Sequence, residues 1–450
     1  MGFSVAVTGD SIVNRDFSFC SEPGFRTIID RLREADVSFT HLETLFHDFD
    51  DPEVYPSAKA PRTWVRAPKS AASDLEWAGI DLVSHASNHA LDYSYGGLRE
   101  TWTALEDAGI PYAGTGENLT QARRPVFLDT DNARVALVSM TSSFQDWACA
   151  GRARGDVGGR PGVNPLRYDY RITTEMMDSL RDVGQALGLT LNQPADGVLT
   201  FSKKGSLNTD MCFREAASDE VGRVLNERDK LENLAAIENA AVAADVVIAH
   251  VHMHEFRPGG EVTDPPRFIE RFAQDCVEAG ADVVVNQGTH APTRGIEIYD
   301  NTPIFYDPGE LFLMTNSVVP MPADWYYNNA DRLDKHPMDA TPEDKLRSRG
   351  TTPPWEESNF VDDDVMITLE GDVFTGPGSF IAECEFDGNM TVESVLLHPL
   401  TWVSEPNSAV GLPTVPDADE RNEILEHVAS LSEPYDTDIE IEGGTARIDV

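Results

Sequence analysis

The chain has 450 residues, which is enough for two or three domains or for one large α/β domain with insertions. Its 77 acidic residues outnumber its 35 basic residues, and the formal net charge of −42 excludes a simple electrostatic footprint for nucleic acid or anionic lipid. Hydrophobic residues make up 41% of the chain, so we interpret the charge as that of a folded protein from a halophilic source, where concentrated salt screens self-repulsion.

The hydrophobic pattern predicts strands that alternate with helices along most of the chain. In chain order it predicts strand 3–8, helix 25–34, strand 37–40, helix 71–78, strand 80–84, helix 98–108, strand 111–113, a hairpin of 126–128 with 134–140, helix 218–244, strand 246–251, helix 266–279, strands 282–286, 295–299 and 303–306, and helix 419–430. Alternation of this kind indicates an α/β fold with a largely buried sheet.

Two stretches interrupt the alternation and suggest insertions into one core. We expect residues 1–141 and 216–315 to form the core, 142–215 to be an Arg/Gly-rich insertion that could act as a lid, and 316–372 to be a Pro/Asp-rich insertion. Strands within 373–400 are expected to complete the core, and 401–450 to be an acidic tail, mostly loop, with one helix.

The five cysteines are odd in number and form no CxxC pair, which argues against a disulfide scaffold or a zinc ribbon. Residues 1–20 lack the basic and apolar regions of a signal peptide, and no stretch approaches the length of a membrane span. We therefore expect a cytoplasmic protein without a membrane span; its oligomeric state is left open.

Polar side chains follow the predicted strands at the points where these strands end. Seven of the 11 histidines fall in four short segments of this kind, beside carboxylates. In layered α/β proteins the crevice at the strand ends is where sites are built, and imidazole with carboxylate suits Mn, Fe or Zn. The sequence therefore predicts a centre for one or two divalent metal ions, although any single histidine could be an ordinary hydrogen-bonded one.

The order and spacing of these motifs resemble the capsule-biosynthesis CapA family of poly-γ-glutamate synthesis, which belongs to the calcineurin-like metallophosphatase superfamily. The matching motifs are Gly9-Asp10, His41-Leu42-Glu43, the run from Ser87 to Asp92, the run from His250 to Glu255, and Gly288-Thr289-His290. The resemblance implies a four-layer α/β/β/α metallophosphatase-like sandwich with a metal site between the strand ends.

Carried over by position, the resemblance also implies roles for individual residues. Asp10 and His290 would bind the first metal, Asn88 and His250 the second, and Glu43 would bridge the two. His89 would be the general acid or would contact phosphate. A carboxylate three residues later, Asp92, is a candidate partner that orients His89.

Three positions depart from the usual pattern. Metallophosphatases carry a histidine two residues after the first aspartate, where this chain has Ile12, and Gln287 replaces a histidine ligand near the end of the core. The second metal site could therefore be weak, empty or completed by His252 or His254. His41 stands where family members usually have asparagine and could ligate as well.

Arginines are concentrated in an otherwise acidic chain over residues 152–171. Arg152, Arg154, Arg160 and Arg167 could recognise the carboxylates or phosphates of an anionic substrate, because guanidinium forks match such groups bidentately. The alternative is that they pair with carboxylates of the chain itself.

The leading hypothesis for function is a metal-dependent hydrolase of the CapA family that makes or processes poly-γ-glutamate, acting on a γ-glutamyl or phosphoester bond. The alternatives are a soluble phosphoesterase unrelated to capsule and a non-catalytic module that binds a carboxylate polymer through degraded metal sites. The expected partner is an anionic small molecule or polymer and not a nucleic acid.

Overall fold

The computed structural model describes residues 2–58, 63–202, 211–290, 293–315, 318–348, 368–369, 372–373, 377–404 and 409–450. Within these ranges two large sheets dominate the fold. The first has ten strands. Eight follow one another in the order Glu440–Glu442, Thr445–Asp449, Val392–Trp402, Ser379–Phe386, Phe3–Ile12, Val37–Leu42, Leu82–Ser84 and Tyr112–Ala113, while Glu310–Leu313 pairs with Phe3–Ile12 and Pro413–Thr414 with Val392–Trp402.

The second sheet has six strands, and its centre is parallel. Their order is Ile296–Tyr299, Thr302–Phe305, Val283–Gln287, Val246–His252, Arg134–Thr141 and Val126–Asp129. Val246–His252 runs parallel to both of its neighbours. Because the carboxyl ends of parallel strands meet at one edge of a sheet, His252 and Gln287 lie side by side, as their pairing register shows.

The two sheets face each other across one apolar core. Val5 and Phe39 of the first sheet share a buried cluster with Leu137, Ile248 and Val285 of the second. Alternation along each strand sends the intervening residues outward, so each sheet also has an apolar outer face.

Helices cover both outer faces. Pro23–Glu34, Ala71–Trp77 and Ser94–Asp107 bury their apolar stripes in a cluster with the first sheet, and Glu227–Ala243 and Arg267–Glu278 do so with the second. The α/β prediction is confirmed, and the helix–sheet–sheet–helix order of these clusters is what a four-layer arrangement would need. The remaining helices are Leu119–Arg123, Thr174–Ala186, Ala323–Asn328, Pro342–Ser348 and Ala418–Ser432.

The region predicted as an insertion, 142–215, contributes four strands to a small separate sheet, and a fifth strand comes from residues just after it. The five strands have the order Thr190–Ala195, Val198–Ser202, Met211–Glu215, Tyr168–Ile172 and Gly222–Leu225. The predicted helix 218–244 therefore begins too early. The helix starts at Glu227, where the Asn226 side chain accepts a hydrogen bond from the backbone of Asp229, and the preceding residues pair with Tyr168–Ile172.

The acidic C-terminal region is more ordered than the predicted loop. Its helix spans Ala418–Ser432 and starts with a capping box between Asp417 and Glu420, and Leu425 and Val428 enter the core between the sheets. Two further strands of the first sheet follow this helix. Three short two-stranded ladders complete the described elements: Leu45–Phe46 with Arg66–Ala67, Thr115–Gly116 with Gly162–Val163, and Thr368–Leu369 with Asp372–Val373.

Candidate metal centre

Asp10 reaches the centre because two backbone segments approach each other closely. It lies near the end of the strand Phe3–Ile12, at a break in the pairing register with Val37–Leu42. The Asp10 backbone N–H donates to the carbonyl of Gly309 at 2.9 Å. A Cβ atom on Gly9 would stand 1.8 Å from that same carbonyl oxygen, so only glycine fits there. The contact brings Asp10 beside Glu310, the first residue of the neighbouring strand.

Glu43 lies in the middle of the site and is fully buried directly after the strand Val37–Leu42. Four imidazole nitrogens surround its carboxylate, at distances to the nearer oxygen of 3.8 Å for His89, 3.6 Å for His252, 3.8 Å for His254 and 3.4 Å for His290. Neither oxygen accepts a well-formed hydrogen bond from the described residues. Burial raises the pKa of Glu43, but His290 and its neighbours outweigh this and hold the pKa well below its usual value.

Two buried histidines face the Asp10 carboxylate. His41 Nε2 and His252 Nδ1 each lie 3.9 Å from Asp10 Oδ1, and the two rings stack 4.6 Å apart. The other nitrogen of His41 is fixed by Ser84 Oγ at 2.8 Å. Burial holds the pKa of both histidines well below the usual value, which favours the neutral imidazole that a metal ion requires.

Three sets of side chains offer ligand atoms that all lie within 4.8 Å of one another. The sets are Asp10 with His41 and His252, Glu43 with His254 and His290, and Asp10 with His290 and Glu310. Shared residues link the first and third sets through Asp10 and the second and third through His290. The geometry therefore gives one continuous centre.

Glu310 is the ligand candidate that sequence reasoning missed. It binds His290 Nδ1 at 2.5 Å, and burial raises its pKa to about 7, against the opposing effect of His290. The signal was present in the sequence: Glu310 follows the predicted strand 303–306 by four residues, at the same edge of the structure as the other candidates.

Two amide side chains also reach the centre. Asn88 Oδ1 lies 3.1 Å from His252 Nε2, and Asn88 Nδ2 lies 2.9 Å from His254 Nε2. Gln287 donates from Nε2 to Asp10 Oδ1 at 3.0 Å, and its own Oε1 has no hydrogen-bond partner among the described residues.

His89 and Asp92 form the pair that the sequence led us to expect. His89 Nδ1 lies 2.6 Å from Asp92 Oδ2, and the Val65 backbone N–H donates to the same oxygen at 2.8 Å. Burial lowers the pKa of His89, but the Asp92 carboxylate outweighs it and raises the pKa above its usual value. The free Nε2 of His89 points toward Glu43.

His250, which we expected to be a ligand, lies outside the three sets. Its Nδ1 is 3.2 Å from Ser139 Oγ, and its ring stacks on that of His41 and makes a tilted contact with that of Phe39 in the core between the sheets. The strand extends to His252, beyond its predicted end, so the histidine two residues later, on the same face, reaches the centre. The structure therefore places His252, not His250, among the ligand candidates.

The four arginines expected to bind substrate have partners within the chain. Arg152 donates to Glu232 at 2.6 Å, and Arg154 pairs with Asp156 at 3.1 Å. Arg167 donates two hydrogen bonds to Asp229, at 2.7 and 2.8 Å. Arg160 donates to the carbonyl of Cys149. The contacts of Arg152, Arg154 and Arg167 match the alternative interpretation of the sequence, pairing with carboxylates, whereas Arg160 binds a backbone carbonyl. None of these contacts involves the centre.

The donor set fits a divalent cation. Five of its side chains have buried polar atoms without a hydrogen-bond partner among the described residues: His41 Nε2, both oxygens of Glu43, His252 Nδ1, Gln287 Oε1 and Glu310 Oε2. Burying such atoms unsatisfied is costly, and a bound cation offsets that cost by accepting their lone pairs. Imidazole with carboxylate is the ligand set of Zn, Mn and Fe sites.

Fold and site together define an α/β protein with a buried carboxylate–histidine cluster at the strand ends of two facing sheets. The chain belongs to the family described as bacterial capsule synthesis protein PGA_cap, which it matches over residues 4–314. This result confirms the family resemblance predicted from the motifs.

The chain is also similar to individual proteins. The chain is 31% identical over 444 residues to the uncharacterized protein y4sH of Sinorhizobium fredii, an alignment that covers 98% of this chain and 92% of y4sH. It is 27% identical over 245 residues to the capsule biosynthesis protein CapA of Bacillus anthracis, covering 54% of this chain and 42% of CapA. A solved structure described as a novel phosphatase from Mycoplasma pneumoniae aligns with a TM-score of 0.35 at 10% identity, over 88% of this chain and 91% of that one.

Within the part of the chain that the structure describes, no helix has both the length and the apolar character needed to cross a bilayer.

Proposed function

We propose that this protein is a metal-dependent hydrolase that acts on an anionic substrate during the synthesis or processing of poly-γ-glutamate or a related polymer. The observation that carries the proposal is Glu43, a fully buried carboxylate among four imidazole nitrogens. The description of the family and the name of the CapA relative support a role in the synthesis of a capsule polymer. They do not distinguish hydrolysis of a γ-glutamyl amide from hydrolysis of a phosphoester.

Two sets of side chains in the centre would hold one or two ions of Mn, Fe or Zn. Asp10, His41 and His252 would hold an ion on one side, Glu43, His254 and His290 would hold one on the other, and Glu310 would support His290. When bound, such an ion polarises a phosphoryl or acyl oxygen and lowers the pKa of water.

His89 is placed to move a proton at the edge of this centre. Its Nδ1 is bound to Asp92, which fixes the ring and favours the protonated imidazole, and its Nε2 lies 3.8 Å from Glu43 Oε1. A protonated imidazole beside the reacting bond can give its proton to a leaving oxygen or nitrogen. Asn88, which precedes it, contributes an amide next to His252 and His254.

The proposal is tested by hydrolysis of γ-glutamyl peptides and of phosphomonoesters by the full chain with added Mn²⁺, Zn²⁺ or Fe²⁺ in high salt. We expect His89→Gln to lower turnover by at least about a hundredfold, the usual contribution of a positioned acid, while metal content stays unchanged. The matched control is His398→Gln, which alters another buried histidine, paired with Glu383 at 3.2 Å in the first sheet. Equal turnover in His89→Gln and His398→Gln would refute the role of His89.

A second candidate is a non-catalytic module that binds a carboxylate polymer. The observation that favours it is the amide of Gln287, which donates to Asp10 Oδ1 and so uses an oxygen that a metal would otherwise bind. If the chain binds poly-γ-glutamate but turns over neither substrate class with any of the three metals, the binding module is correct and the hydrolase is excluded.

A further inference from the structure

A second cluster of buried polar side chains lies next to the pair of His89 and Asp92. It consists of His47, Arg66 and Tyr93, whose exposed fractions are 0%, 8% and 1%. Two of them adjoin that pair along the chain: Tyr93 follows Asp92, and Arg66 follows Val65, whose backbone N–H binds Asp92. None of the three belongs to the candidate ligand sets.

Polar side-chain atoms of this cluster lack hydrogen-bond partners among the described residues. Among the described residues, neither ring nitrogen of His47, nor Arg66 Nε, nor the Tyr93 hydroxyl has a hydrogen-bond partner. The groups are in direct contact, because Arg66 Nη2 donates to the His47 carbonyl at 2.7 Å and the rings of His47 and Tyr93 lie 4.3 Å apart. Leaving such donors unsatisfied in the interior is costly, so binding of a group that accepts from all three residues would be strongly favoured.

The charge around the cluster is suited to an anion. Arg66 supplies a buried positive charge and pairs with Asp48 at 3.5 Å, a carboxylate that is 40% exposed and so screened by solvent. The buried carboxylate of Asp92, next to Tyr93, is itself paired with His89 at 2.6 Å. The helix Ser94–Asp107 starts directly after Tyr93 with no acidic residue in its first turn and no side-chain cap, so its positive end faces this region.

Phe49 covers the cluster. Its ring lies 4.5 Å from that of His47 and 5.4 Å from that of Tyr93, and the Arg66 guanidinium stands 5.4 Å above it. The residue is 42% exposed and has a φ of 60°, a left-handed conformation that costs energy for any residue with a large side chain. An exposed, strained aromatic ring over three buried donors is a cover that can be displaced at little cost.

We propose that His47, Arg66 and Tyr93 form a binding site for an oxyanion, either a carboxylate or a phosphoryl group, which enters when Phe49 moves aside. The imidazole N–H, the guanidinium Nε–H and the phenol O–H would each donate to one of its oxygens. The assignment of this anion to the substrate, as a charged group next to the one that reacts, rests on the proposed function; the site itself does not.

Binding of glutarate and of inorganic phosphate to the full chain, treated with EDTA so that no metal contributes, tests the site by isothermal titration calorimetry. We expect saturable binding of at least one anion, weakened about tenfold by Tyr93→Phe, which removes one donor and keeps the ring. Phe49→Gly should tighten binding, because it removes both the cover and the strain. The control is Tyr306→Phe, a buried tyrosine whose hydroxyl already donates to Glu297.

Thermal unfolding separates a binding role from a structural one. Because the Tyr93 hydroxyl has no hydrogen-bond partner among the described residues, its loss should leave the unfolding midpoint unchanged or higher while affinity for the anion falls. Binding of glutarate alone assigns the site to a carboxylate, and binding of phosphate alone assigns it to a phosphoryl group. The proposal is overturned if neither anion binds saturably, or if Tyr93→Phe binds as tightly as the unchanged protein. Because no turnover is measured, its failure would leave the proposed hydrolase untouched.

Discussion

Glu43 shows how single residues create the chemistry of this protein. A carboxylate removed completely from water is unstable unless positive charge or hydrogen bonds compensate it, and here the compensation comes from imidazoles on three different loops. His290 is held toward Glu43 by Glu310, and His89 by Asp92. Two of the histidines near the central carboxylate are thus each oriented by a second carboxylate, which is the arrangement that fixes a ligand or a proton donor in place.

The buried histidines should also make the protein sensitive to acid. Burial lowers the pKa of His85 to about 4, so between pH 6.5 and pH 4 the unfolded chain takes up a proton that the folded protein refuses. The contribution of His85 to stability is complete above pH 6.5 and is lost as the pH falls toward 4. Urea unfolding at pH 7.5 and pH 4.5 should show that His85→Asn reduces the acid-induced loss by about 2–3 kcal/mol.

The exposed His336 provides the comparison for this experiment. His336→Asn is expected to lose as much stability between the two pH values as the unchanged protein does. An equal loss in His85→Asn and in the unchanged protein would contradict the account of the buried histidine.

At the scale of elements, the sequence located most of the core but not the exact ends of its strands. Short apolar runs predicted the strand that carries Asp10 and the strands that precede Glu43 and Asn88, and all three strands are almost completely buried. The sequence could not decide whether His250 or His252 is the ligand, because the two side chains lie on the same face of one strand. Only the hydrogen bonds to the neighbouring strands determine where that strand ends. The small sheet formed by strands between residues 168 and 225 was not predicted, although Tyr168, Tyr170 and Ile172 alternate with the polar Asp169 and Arg171 in one of its strands. A five-residue alternation is a weak signal, and the stretch around it is rich in Gly, Arg, Pro and Asn and has no clear period.

The close approach of the backbone at Gly9, in the strand Phe3–Ile12, to the Gly309 carbonyl is the element-level feature most open to test. Gly9→Ala would place a methyl group 1.8 Å from the Gly309 carbonyl oxygen and push apart the strands that carry Asp10 and Glu310. We expect a loss of more than about 3 kcal/mol in the free energy of unfolding, as for severe overpacking, measured by urea denaturation. Gly155→Ala is the control, because nothing lies within 4 Å of its added Cβ atom. A stability of Gly9→Ala equal to that of Gly155→Ala would show that the contact is wrongly placed.

At the scale of the whole molecule, the net charge of −42 is the dominant electrostatic property. Self-repulsion of this size destabilises the compact state at low ionic strength, and added salt screens it. The inference of a halophilic source predicts that the protein reaches its full stability only in concentrated salt.

Thermal unfolding in increasing KCl measures this effect directly. The Debye length falls from about 10 Å at 0.1 M to about 3 Å at 1 M salt, so the unfolding midpoint should rise by several degrees over that range and continue to rise more slowly above it. Sucrose at matched osmolality separates charge screening from general exclusion of solutes, and it should give a smaller rise. A midpoint that is flat or falls with KCl would count against the inference.

The central claim, that side chains from distant parts of the chain form a metal centre around Glu43, is tested most directly by metal content. The full chain is loaded with Mn²⁺, Zn²⁺ or Fe²⁺, desalted and analysed by mass spectrometry of the metals, beside Glu43→Gln and the control Glu383→Gln, whose carboxylate lies in the first sheet beside His398. We expect at least about one ion per chain in the unchanged protein and in Glu383→Gln, and a large loss in Glu43→Gln. Less than about 0.2 ion per chain in the unchanged protein, or equal content in Glu43→Gln, would contradict the account.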